Sequence, residues 1–412
     1  MTTEPAKTET EPVEDWATDY DIFDPGYIKD PFPTWDELRE KCPVAHTERW
    51  GSSWMPTRYE DLRKIAADVD IFSSRNPLVA TVGQPAEVNP DLEQRASAGA
   101  PPISSDPPVH TWSRALLLPK FSIKAVAEYE EETRELCRSL IDGFIDKGRA
   151  DAAADYAQQI PPRVIANMLG IPQERAGEFT EWVRGFLEYG LTNVEFRSGS
   201  AMQIFSFLNE QIQDRKANPG DDLISYLLSA KADGAPDPIP EPHVLGTCFL
   251  LLVAGIDTTW SSIGSAMWHL AQNPDHCKRL IDGPELITSA VEELLRAYAP
   301  VTMAREVTQD AQYNGCAMKE NDKVLMNFPA GCRDPEKFEN PDEVILDRKI
   351  NPHIAFGVGI HRCAGSNLAR MEMRVAIEEW LKRIPEFRLE DPEAVTWAGG
   401  QVRGPRKCMV VF

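Results

Sequence analysis

The sequence predicts a mainly α protein with small β-sheets, built around one long buried helix. Three observations predict it. Helical periodicity governs nearly everything between residues 124 and 231. Residues 241–273 form the longest uninterrupted helical stretch, on the order of 50 Å at ~1.5 Å per residue. Its middle is apolar nearly all round, so it must be buried. The strand-like segments, by contrast, are short and bounded by turn residues.

With 42% hydrophobic residues the 412-residue chain can bury a large interior. No Ser/Gly linker or sharp composition change divides it, which predicts one domain over residues 20–412 behind a flexible acidic lead-in at 1–19. Forty-three Lys and Arg against 65 Asp and Glu give a net charge of −22. That balance argues against nucleic acid or an anionic membrane surface as a general partner. The most apolar run, residues 249–256, falls far short of the roughly 18 residues a membrane helix needs. The lead-in lacks the pattern of a signal peptide, and a cytoplasmic, unanchored protein is expected. Eight scattered cysteines without a C-x-x-C pair predict reduced thiols.

In chain order, residues 31–42 read as a short helix, 44–51 and 53–57 as two strands, and 59–67 as helix again. Residues 75–108 form a long loop carrying seven prolines. A loop of that length in a compact domain either covers a site or is a disordered surface excursion. After Asp106-Pro-Pro, His110 and Arg114 share one helix face. They are either a solvated pair or two donors suited to a carboxylate. Helices follow at 124–147, 152–169, 174–191, 194–216 and 221–231, with aromatic clusters around Phe179, Trp182, Phe186 and Phe205, Phe207 that core packing explains. Within the long helix stands Ala254-Gly255-Ile256-Asp257-Thr258-Thr259. A carboxylate and hydroxyls in a buried apolar helix must be hydrogen-bonded. Either the site handles protons or water, or the threonines bond back to carbonyls while Asp257 pairs with a distant cation. Glu293 and Arg296, at i and i+3, form a helical ion pair. Residues 313–316 and 323–327 read as short strands, and 399–405 with 408–412 as a β-hairpin.

The most informative stretch is Phe356-Gly357-Val358-Gly359-Ile360-His361-Arg362-Cys363-Ala364-Gly365, followed at once by helical spacing at Leu368, Met371 and Val375. Its glycines let another group approach the backbone closely. At a helix N-terminus Cys363 is favoured as a thiolate. Read from the residues alone it is a buried core thiol, a nucleophile with His361 as base, or an axial ligand to a haem.

The motif Phe-Gly-x-Gly-x-His-x-Cys-x-Gly resembles the haem-ligand loop of the cytochrome P450 family, with every motif residue at its spacing. The resemblance extends over residues 31–412. It implies the P450 fold, with the long helix over haem b (iron protoporphyrin IX), Cys363 as axial iron ligand, and Phe356, Gly357 and His361 beside the ring. His110, Arg114 and Arg305 would hold the propionates. The stretch at Ala254 matches the family's oxygen-activation motif: Ala254 and Gly255 would leave room for dioxygen, and Asp257 with Thr258 would steer protons. Glu293, Arg296 and Arg348 would form the structural trio of the family's Glu-x-x-Arg motif. Leu250, Val253, Ala254, Val301, Thr302, Met303, Val402 and Gln401 are the expected substrate neighbours, beneath a roof made by helices 174–191 and 194–216. Loop 75–108 would cover the pocket.

The implied activity is that of a haem-thiolate monooxygenase, inserting one atom of O2 into a C–H or C=C bond of a small apolar compound: a terpenoid, aromatic, steroid or fatty acyl substrate. Electrons would come from NAD(P)H through a reductase and a ferredoxin or flavodoxin, docking on a basic patch of Arg114, Lys120, Arg362 and Arg370. A monomer is the expected state. The alternatives are a peroxygenase on the same fold or a non-catalytic haem protein.

Overall fold

The apolar run of the sequence becomes a 32-residue helix, Glu241–Gln272. Pro242 occupies its first turn, where a missing N–H costs nothing, and it stops at Asn273, ahead of Pro274. By length and hydropathy this helix could cross a membrane, yet it is mostly buried inside the protein. Four further helices pack around it: Ile160–Leu169, Ala176–Leu187, Val194–Ala217 and Ser366–Arg383. The computed structural model describes residues 11–80 and 99–412. Part of the lead-in (1–10) and the middle of the long loop (81–98) therefore lie outside the described residues.

One glycine decides how closely the long loop approaches the central helix. A Cβ on Gly246 would lie 2.3 Å from the carbonyl oxygen of Gly99 and 3.0 Å from the Pro101 ring. Only a missing side chain lets the end of the long loop lie directly on the helix. Above the helix, Phe205 stacks on Phe249 at 4.5 Å between ring centroids, and Phe186 meets the same ring edge-on at 5.2 Å. Those three aromatics tie the two roof helices to the central one.

One five-stranded sheet runs in the order Val44–Thr47, Ser53–Pro56, Lys323–Met326, Met303–Val307, Phe72–Ser73. Only the second and third strands are parallel. Its role is to present the strand Met303–Val307 along the edge of the site. One large hydrophobic core surrounds the central helix, and a smaller cluster lies under the N-terminal segment and the sheet.

Two expectations about strands are corrected. Residues 313–316 are not a strand: Asn314 (φ 48°) and Gly315 (φ 83°) form the left-handed turn of a hairpin between Ala311–Tyr313 and Cys316–Met318. Asn-Gly favours that turn because both residues tolerate positive φ. The C-terminal segments do not pair with each other. Gly404–Lys407 pairs with Thr396–Ala398, whereas Met409–Val411 joins Arg149–Asp151 and Arg388–Leu389. Cys408, wholly buried, marks the change of partner, its N–H donating to Asp151 Oδ1 at 2.9 Å.

Candidate active site

Cys363 is the only exposed cysteine among the described residues, and its surface opens onto an internal cavity. The site begins there. The cysteine helix starts at Ser366, so Cys363 precedes it on a loop. Two contacts shape that loop: Cys363 N–H donates to the Phe356 carbonyl at 2.8 Å, closing the turn, and Gly359, at φ 77°, packs where a Cβ would lie 2.7 Å from the Ala66 carbonyl. Burial pushes the Cys363 thiol up, while the Gly365 backbone, Arg114, Arg362 and Arg370 pull the other way.

The cavity encloses about 1420 Å³ of atom-free space, mouth included. Its walls are largely apolar. The central helix contributes Leu250, Leu251, Ala254, Gly255, Thr258, Thr259 and Ser262; the segment after the ion-paired helix contributes Val301, Met303 and Arg305; the loop contributes Pro102 and Ile103. Phe356, Gly357, His361, Cys363 and Gly365 complete it.

The donors at the cavity are unusually underused. Arg305 is buried and donates only to the Ala304 carbonyl, at 2.8 Å. Burial lowers its pKa to about 10, with Asp106 opposing. The rings of His110 and His361 lie 4.3 Å apart, and the buried Nε2 of each lacks a partner among the described residues. Burial holds His361 down to about 3, helped by Arg305, His110 and Arg114. Arg114 lines the cavity and donates to the Arg362 carbonyl at 2.5 Å. Two guanidinium groups and two imidazoles without a carboxylate, beside a cavity-facing thiol and apolar walls, fit a flat group that carries carboxylates and a thiophilic metal.

A sequence profile of the cytochrome P450 family matches residues 163–282 and 285–396. The chain is 33% identical over 385 residues to the mycinamicin IV hydroxylase/epoxidase of Micromonospora griseorubida, covering 91% of this chain and 94% of that one. It is 32% identical to a vitamin D(3) 25-hydroxylase of Pseudonocardia autotrophica, at 90% coverage of both.

The chain belongs to the cytochrome P450 family.

The fold agrees: the solved P450 of the bacillaene polyketide synthase of Bacillus subtilis 168 superposes with a TM-score of 0.85 at 30% identity, covering 95% of this chain and 99% of that one. This P450 is a bacterial-type monooxygenase with haem b as its cofactor.

Not every residue singled out in the sequence faces the cavity. Leu250, Ala254, Gly255, Thr258, Val301 and Met303 do. Val253 is buried elsewhere. Thr302 donates its N–H to the Gln401 carbonyl at 3.0 Å, and Val402 bridges Val301 as a strand partner. The Gln401 side chain is tied to Val79 N–H and the Pro77 carbonyl, both at 3.1 Å, so it holds the loop. Gly255 has a packing reason of its own, since a Cβ there would lie 2.7 Å from Ile165 Cδ1.

Asp257 is the largest departure. Its carboxylate is almost fully buried and lies off the cavity wall, accepting from Arg406 Nη2 at 2.8 Å and Ser261 Oγ at 3.2 Å. Arg406 also donates to Glu188 at 2.9 Å, just past the roof helix Ala176–Leu187, and covers the Trp260 ring at 4.1 Å. Burial raises the Asp257 pKa, with Arg406 as the strongest opposing influence. The Thr258 hydroxyl donates back to the Ala254 carbonyl at 2.7 Å. Nothing local in the sequence marks Arg406, which is 149 residues away.

The ion-paired helix Ile287–Ala297 holds Glu293 and Arg296 fully buried. Arg296 grips Glu293 bidentately at 2.8 and 2.9 Å and donates to the carbonyls of Cys332, Pro341 and Glu343. Arg348 reaches Glu293 at 2.9 Å. Of the four expected docking cations, Arg362 is exposed, Lys120 lies over the Tyr226 ring at 4.6 Å, Arg114 lines the cavity, and Arg370 is paired to Glu292. Arg370 is thus removed from a free basic patch by its own ion pair.

Proposed function

We infer that this P450 oxygenates a small apolar compound of the terpenoid, aromatic, steroid or fatty acyl kind, with Cys363 as the iron ligand. The observation carrying the reading is that the Cys363 loop and the Ala254–Thr258 turn, from separate elements, line one apolar cavity whose cationic donors are unspent. The relatives' printed activities, hydroxylation and epoxidation, support insertion into a C–H bond or across a C=C bond.

Arg114, Arg305, His110 and His361 would hold the haem carboxylates, with Phe356 and Gly357 completing the haem site. When bound, haem supplies the redox chemistry, activating O2 so that one atom enters the substrate and the other leaves as water. Leu250, Ala254, Val301 and Met303 orient the substrate and exclude water from it. The Thr258 hydroxyl, freed from the Ala254 carbonyl by a rotation about χ1, holds a proton at the cavity wall. Asp257 relays that proton: once its carboxylate leaves Arg406 it takes a proton from solvent water and passes it to Thr258, returning to the carboxylate. Electrons arrive from NAD(P)H through a reductase and a ferredoxin or flavodoxin, which docks near Arg362. The protein works as a cytoplasmic monomer.

Turnover under ¹⁸O-labelled dioxygen with a reductant and a ferredoxin tests this reading. One labelled atom per product molecule is expected. Product that takes its oxygen from water or from added peroxide alone would overturn it.

A further inference from the structure

The residue before the structural Glu293 has its own task. Glu292 accepts from Arg370 through both oxygens, Nε to Oε1 at 2.5 Å and Nη2 to Oε2 at 2.8 Å. On Oε2 it also meets His353 Nε2 at 3.0 Å. His353 Nδ1 accepts from Ala355 N–H at 3.3 Å, so its proton sits on Nε2 and is donated to Glu292. One carboxylate therefore grips the cysteine loop on both sides: His353 upstream, and Arg370 on the helix downstream.

The grip reaches the thiol through Phe356. The Arg370 guanidinium lies over the Phe356 ring at 4.5 Å from its centroid, and the Phe356 carbonyl is the acceptor for the Cys363 N–H. The pair is shielded, with the two side chains only 27% and 28% exposed, so its charges are screened less than a surface pair's. Among the described residues Glu292 is the only carboxylate paired with Arg370.

We propose that Glu292 is a positioning residue of the thiolate centre: it neutralises Arg370 on the back of Phe356 and thereby sets the reduction potential of the iron that Cys363 holds. This rests on the reading of Cys363 as iron ligand. Reducing ferric to ferrous iron adds one electron, and so one negative charge, next to the sulfur. Uncovered positive charge at Arg370 favours the reduced state, and uncovered negative charge at Glu292 disfavours it.

The test is spectroelectrochemical titration of the haem-loaded wild type, Glu292→Gln, Arg370→Gln, the double variant and Glu292→Asp. Glu292→Gln is expected to shift the midpoint potential positive and Arg370→Gln to shift it negative. The double variant and the charge-keeping Glu292→Asp should lie between the two singles, near wild type. A purely structural role would lower thermal stability without shifts of opposite sign, so shifts of one sign, or none, overturn the proposal. If Glu292→Gln fails to retain haem, Arg370→Gln decides alone: a negative shift supports the proposal, and an unchanged or positive potential overturns it. Failure of the underlying reading is separate, because wild type itself would then lack the red-shifted carbon monoxide band of a thiolate-bound haem.

Discussion

Replacing Arg406 with glutamine isolates what the central helix demands of its one buried carboxylate. Asp257 lies 2.8 Å from Arg406 Nη2, and its other oxygen has no partner among the described residues. Two unit charges about 4 Å apart at an effective dielectric constant near 20 attract by about 4 kcal/mol, and breaking buried pairs typically costs about 3–5 kcal/mol. Asp257 escapes part of that cost by taking up a proton. Its folded pKa is already raised by burial, with Arg406 pulling it down most strongly; without Arg406 it rises further. A carboxyl with a raised folded pKa binds its proton more tightly folded than unfolded. It therefore loses stability as pH climbs from its unfolded pKa to its folded one.

Arg406→Gln should consequently fall further below wild type as pH rises above the ordinary carboxylate range towards the raised folded pKa of Asp257, by up to about 1.4 kcal/mol per pH unit. Glu188 contributes less to this slope, because Arg184 still reaches it at 3.1 Å. The assay is urea unfolding of both proteins at about pH 6 and about pH 8. The Asp257→Asn/Arg406→Gln double variant should lose the extra slope. Parallel curves for variant and wild type would refute the reasoning, since Asp257 would then not depend on Arg406 for its charge.

Other perturbations have equally definite outcomes. Arg296→Leu takes from the buried Glu293 its bidentate partner, leaving Arg348 as its cation, and removes a donor from three carbonyls, so a loss of about 3 kcal/mol is expected in denaturant titration, and a loss below about 1 kcal/mol would contradict the trio's role. Gly246→Val drives a side chain into the Gly99 carbonyl and Pro101; the loop must shift, at a cost of about 1–3 kcal/mol, with faster proteolysis near residue 99, and unchanged cleavage would count against the contact. Arg362→Glu places a carboxylate at an exposed position and should slow reduction by the partner at low salt while substrate affinity holds. Equal rates would remove Arg362 from the docking face.

The helices were largely legible in the sequence because periodicity and proline positions are local signals: the boundaries expected at 194–216 and 241–273 differ from Val194–Ala217 and Glu241–Gln272 by one residue. The cysteine loop was legible for a different reason, its closely spaced glycines and motif residues. What escaped was long-range. Arg406 sits in a short C-terminal strand, and only the fold brings it to Asp257. Glu292 and Glu293 are neighbours with the same chemistry, yet a rotation of about 100° per residue sends one to the cysteine loop and the other to Arg296 and Arg348. Thr302 and Val402 were misjudged for a related reason: alternate residues of an extended segment face opposite ways, so Val301 and Met303 line the cavity while Thr302 does not. Gly246 was invisible because the need for a missing side chain exists only once the loop lies on the helix.

The central claim is that Cys363 binds the haem iron as a thiolate, and the absorption spectrum of dithionite-reduced protein under carbon monoxide tests it most directly. Wild type should give a strongly red-shifted Soret band, and Cys363→Ser should lose it while keeping the helical content of the fold. A band in the ordinary position in wild type, or a red-shifted band that survives the loss of Cys363, would contradict the account.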